Sequence, residues 1–142
     1  MPAEPMPAAL PGPTDDDRKI FTLEEANRAL AYVGPIVEEL ATCYEEAVTM
    51  RREIEAEGDQ ADPETVDEYE TAMERMNRLV DEIEATGVLL KDFEKGLLDF
   101  PAEHEGREVY LCWQLGETEI EAWHEVDGGF AGRKPVAELA VS

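Results

Sequence analysis

Basic residues are scarce in this chain: 12 Lys and Arg stand against 35 Asp and Glu, a formal net charge of −23 over 142 residues. Phosphate backbones and anionic lipid both require a cationic surface, so nucleic acid and membrane surfaces are excluded as expected partners. Basic proteins and divalent cations remain compatible. Cysteine is limited to Cys43 and Cys112, too few for a disulfide framework and not arranged as a CxxC pair. A reducing, cytoplasmic setting is the simpler expectation. No stretch approaches the roughly 18 consecutive apolar residues that suggest a membrane span. Met1 to Pro13 lacks both the basic and the apolar regions of a secretory signal. There is no internal repeat, no HExxH metal motif and no P-loop.

What is present divides into three parts. Residues 1–19, rich in Pro and Ala and closing on Asp15-Asp16-Asp17, read as a disordered tail with little to bury. Residues 20–87 read as a helical hairpin, and residues 88–136 as a β module packed on it, the two forming one domain over 20–136. With 43% hydrophobic residues the chain is long and apolar enough to build a core unaided.

The run Thr22-Leu23-Glu24-Glu25 is a capping box and opens the first helix. Apolar residues then recur at Leu23, Ala26, Leu30, Val33, Val37, Leu40, Tyr44, Ala47 and Ile54, spaced by threes and fours like the seam of a coiled coil. Gly58-Asp59 stops the helix after Glu57, and Pro35 predicts a kink inside it. Asp62 as cap and Pro63 at the first helical position open the second helix, whose seam is Val66, Tyr69, Met73, Met76, Val80 and Ile83. Gly87 ends it. The short connection forces an antiparallel return. The first helix is longer by about 12 residues, roughly 18 Å, and that overhang is the expected seat of the β module.

Each helix carries a third apolar column: Ala29, Ile36, Cys43 and Met50 in the first, Ala72 and Leu79 in the second. A two-stranded coil needs only two columns, so the β module, a second copy of the chain, or both are expected to cover the third.

From Val88 the apolar period becomes two. The strand candidates are Val88 to Phe93, Leu97 to Phe100, Glu108 to Leu115 and Glu119 to Glu125, with Pro101 ending its strand. Turns are expected at Glu94 to Gly96, Glu103 to Gly106 and Gly116-Glu117, and a loop over Phe130 to Pro135. Short connections favour an antiparallel meander, so the fold class is α+β.

Alternation sends Val109, Leu111, Trp113 and Leu115 to one face of their strand and Tyr110, Cys112 and Gln114 to the other. In the next strand Ile120, Ala122 and His124 share a face. Pairing of the two would bring Cys112 near His124, with Asp99 on a neighbouring strand. A thiol, an imidazole and a carboxylate suit a metal, with Cys112 and His124 as ligands, or a thiolate nucleophile. Packing alone would also account for a buried cysteine. Gly128-Gly129-Phe130-Ala131-Gly132-Arg133 could form an anion-holding nest closed by Arg133, or a plain surface loop. Trp113 is either core or a pocket wall. The candidate ligand-binding set is therefore Asp99, Cys112, Trp113, His124 and Arg133.

The linked motifs Gly96-Leu97-Leu98-Asp99-Phe100-Pro101, Val109-Tyr110-Leu111-Cys112-Trp113, Gly116-Glu117, Trp123-His124-Glu125 and Gly129-Phe130-Ala131-Gly132-Arg133 resemble a bacterial family of unknown function, domain of unknown function 2203. The opening Phe21-Thr22-Leu23-Glu24-Glu25-Ala26-Asn27 is similar too, and Leu98 departs from the Val of the pattern. The resemblance implies a cytoplasmic protein and carries over no activity and no site residue. Two functions are in competition. One is a dimeric acidic module for protein interaction; the other is a small-molecule or metal site on the β module. The dimer is expected to scatter light at micromolar concentration as a particle of twice the 15.9 kDa chain mass.

Overall fold

A computed structural model describes residues 19–139; the expected tail lies outside them except for Lys19. Helix α1 spans Leu23–Glu57 and α2 spans Pro63–Glu84, joined by a 3-10 turn at Gly58–Gln60. The Thr22 hydroxyl accepts from the Glu25 amide at 3.0 Å, and the Glu25 carboxylate accepts from the Thr22 amide at 2.9 Å, closing the capping box. Pro35 lies within α1, and Asp62 caps α2 through the Glu64 amide at 3.0 Å. Contacts of Cys43 with Ala72 and of Glu39 with Arg75 fix the antiparallel pairing of the helices.

The seams are buried from Ala26 to Ala47 in α1 and at Met76, Val80 and Ile83 in α2, while Ile54, Val66, Tyr69 and Met73 are half-buried and Leu23 is exposed. In the third column Cys43, Ala72 and Leu79 are buried, while Ala29, Ile36 and Met50 pack half-buried against the core.

Five strands follow in the order β1-β2-β3-β4-β5, all antiparallel: Leu89–Asp92, Leu97–His104, Arg107–Gln114, Ala122–Glu125 and Lys134–Pro135. The inner face of the sheet, with Leu98, Phe100, Val109, Leu111, Trp113 and Trp123, joins the helices in one core. Three links seat it on α1. The Ile120 amide donates to Asn27 Oδ1 at 2.9 Å, the Phe21 amide donates to the Pro101 carbonyl at 2.7 Å, and the Phe21 ring meets Phe100 edge-on at 5.4 Å.

The sheet corrects four expectations. Pro101 does not end β2 but pairs with Tyr110 inside it. Its carbonyl faces Phe21, and the amide hydrogen it lacks would point to the same flank, beyond the end of β1, so no ladder bond is lost. The turn expected at Glu103 to Gly106 shrinks to Glu105-Gly106, with φ of 51° and 77°; two positive values make the mirror-image hairpin turn that matches strand twist. His104 therefore belongs to β2 and packs on Trp123 at 5.2 Å. The strand expected from Glu119 begins only at Ala122, because Ile120 turns its amide to Asn27. The loop expected over Phe130 to Pro135 contains a 3-10 turn and the short β5.

Gly96 closes the β1–β2 turn against α1. Its φ is +68°, and an added Cβ would stand 2.7 Å from Leu115 Cβ and 3.0 Å from Val37 Cγ1. Gly96→Ala should therefore cost about 2–4 kcal/mol in a urea melt, combining backbone strain with overpacking. Gly116→Ala, also at positive φ but with open space around it, should lose only about 1–2 kcal/mol.

Candidate metal centre

Strand pairing decides which side chains meet. Asp99 lies opposite Cys112 across β2 and β3, Cys112 opposite Ala122, and Tyr110 opposite His124 across β3 and β4. Paired residues share a face, so Asp99, Cys112 and His124 gather on the outer face, away from the helices. Their ligand-capable atoms all lie within 4.8 Å of one another, and the residues are 5%, 2% and 2% exposed.

The hydrogen bonds assign the atoms. His124 Nδ1 stands 2.7 Å from the Glu125 carbonyl, which can only accept, so Nδ1 carries a proton. Nε2 is left facing Asp99 Oδ1 at 3.0 Å. A histidine whose one nitrogen is tied to a backbone carbonyl presents the other to a metal in fixed orientation. Glu125 is itself clamped by Arg107, Nε to Oε1 at 2.9 Å and Nη2 to Oε2 at 2.7 Å. That guanidinium pulls the Glu125 carboxyl down to about 2.

Asp99 also stands across the strand pair from the Cys112 thiol, their ligand atoms within 4.8 Å. Burial first, and the Asp99 charge second, push that thiol up to about 12, while the Arg133 guanidinium pulls the other way. A thiol so raised must give up its proton before it can serve as a nucleophile or as a metal ligand. Atoms bound to tetrahedral zinc stand about 3.3–3.8 Å apart, given bonds of about 2.0–2.3 Å, so no pair of ligand atoms need close by more than about 1.5 Å.

Arg133 follows the 3-10 turn at Phe130–Gly132. Its Nη2 donates to the Cys112 carbonyl at 3.4 Å and to Glu117 Oε1 and Oε2 at 2.9 and 3.0 Å, and its guanidinium lies 4.9 Å from the centre of the Phe130 ring. Trp113 is not part of the cluster. Alternation puts it on the inner face, where its indole donates to the Glu117 carbonyl at 2.9 Å and it walls a cleft with Asn27, Leu30 and Gly34. Two contributors escape the sequence reading. Glu117 holds Arg133 and accepts from the Gln114 amide at 2.7 Å, and its place beside Gly116 in a turn was its only signal. Glu125 acts through its carbonyl, which side-chain chemistry cannot announce.

An α+β protein with a thiol, an imidazole and a carboxylate buried together on the open face of its meander is the class that fold and site define. The chain belongs to the family described as "Uncharacterized conserved protein (DUF2203)", matched over residues 19–136. No curated protein and no solved structure matches it. Among the described residues no helix is long and apolar enough to cross a membrane.

The raised thiol has a pH signature. Unfolding returns Cys112 to its ordinary value of 9.0, so the folded chain favours the protonated form. Stability from this group is complete below pH 9 and is lost as pH rises from 9 toward 12. Ultraviolet thiolate absorbance of the native protein should accordingly show Cys112 titrating well above free cysteine.

Proposed function

We propose that this chain is a metal-binding protein whose centre is Asp99, Cys112 and His124, with zinc the metal best suited to it. The observation that carries the reading is the convergence of three different ligand types within 4.8 Å, from three separate strands. Thiolate and imidazole together favour zinc over magnesium or calcium, which take oxygen ligands. Three protein ligands leave the fourth tetrahedral position open, and zinc so held supplies Lewis acidity to whatever takes that position. The chain's own residues orient the imidazole through Glu125, hold the thiol against Asp99, and keep Arg133 beside Cys112. A protein-interaction module rests on helical faces whose apolar columns one chain already largely covers, so the triad is the more specific support.

Cobalt(II) makes the test visible, because a thiolate ligand gives a charge-transfer band in the near ultraviolet. The purified chain should take up cobalt stoichiometrically with that band, and zinc should displace it. Cys112→Ser should abolish the band and the metal found by elemental analysis, while Cys43→Ala should leave both intact. Uptake surviving in Cys112→Ser, or no uptake by the unaltered chain, would overturn the proposal. Loading displaces the thiol proton, so affinity should rise by about tenfold per pH unit across neutrality.

A further inference from the structure

Arg133 carries an unanswered donor. Its Nη2 is engaged by Glu117 and the Cys112 carbonyl, yet Nε is buried with no hydrogen-bond partner, the one such side-chain nitrogen or oxygen found among the described residues. Leaving a charged donor buried and unpaired is costly, and such groups mark a place where an acceptor belongs. The surroundings say where that place is. The guanidinium touches the backbone of Cys112, and its charge is felt at the Cys112 thiol, so it lies next to the metal ligands.

We propose that the centre takes a small monocarboxylate as its exogenous ligand, one oxygen on the metal and the other on Arg133 Nε; this rests on the metal reading. A metal held beside Cys112 would put its open position near the vacant N–H, and a carboxylate offers two oxygens on one carbon, one for each. Charge selects the class further. Glu117 and Asp99 already stand at the site, and the chain carries −23, so a multiply charged phosphate meets more repulsion than a singly charged carboxylate. Arg133 would thus decide which ligand binds.

The test uses the cobalt-loaded full chain and acetate as the probe. Acetate should shift the visible cobalt bands saturably, and phosphate at equal concentration should not. Arg133→Lys keeps a cation for Glu117 but lacks the Nε donor; once saturated with cobalt, as its thiolate band reports, it should bind acetate about tenfold more weakly or worse. Circular dichroism checks that the variant is folded. Cobalt bands in the unaltered chain that ignore acetate, a stronger response to phosphate, or equal acetate binding by folded Arg133→Lys would each overturn the inference and leave the metal reading standing. A water filling the Nε position gives the first of these results. Absence of the thiolate band itself would remove both.

Discussion

Helix α1 has 35 residues and α2 has 22, and the β module stands along α1, at Asn27 in the surplus turns and at Val37 and Tyr44 beyond them. An amphipathic helix that outlasts its partner presents an uncovered apolar stripe, and the inner sheet face presents another. Neither is stable in water alone. Their union is fixed at a few polar points, Asn27 to Ile120 and Phe21 to Pro101, and by the bare backbone of Gly96 against Val37. Once the inner face is committed to α1, every second residue of each strand must point away from the helices. Asp99, Cys112 and His124 occupy those positions.

The polar cluster is therefore a product of register. Had β3 slipped by one residue against β2, Cys112 would have changed faces and entered the core. The register is held by hydrophobic pairs across the inner face, Leu98 with Trp113 and Phe100 with Leu111, and by the tight turn at Glu105-Gly106. Packing on one side of the sheet thereby sets chemistry on the other. Arg107 and Glu125 extend the same logic, since a pair at the sheet's margin steadies the carbonyl that orients His124.

The helices were legible because their signals are local: a capping box, Pro63 at the start of α2, and apolar threes and fours need no knowledge of the rest of the chain. The meander and the two-faced reading of β3 followed from period two. The misses share a cause. Pro101 reads as a strand end unless one knows that its flank has no neighbouring strand; Glu105 gives little hint of positive φ; and Ile120 leaves its expected strand only because Asn27, 93 positions earlier, takes its amide. For the site, Cys112, His124 and Asp99 could be brought together from strand alternation alone. Trp113 could not be separated from them until the pairing placed it on the inner face, and Glu117 became visible only through Arg133.

Proline sits on both margins of the sheet, Pro101 on the flank of β2 beyond β1 and Pro135 in the two-residue β5. A backbone with no amide hydrogen at those points cannot template a foreign strand, and Phe21 already occupies the acceptor that Pro101 offers. Lys91 and the register shift between Leu90 and Asp92 interrupt the β1 margin in the same sense. The meander is thus guarded against edge-to-edge polymerisation, which lets its outer face carry polar side chains without inviting fibres.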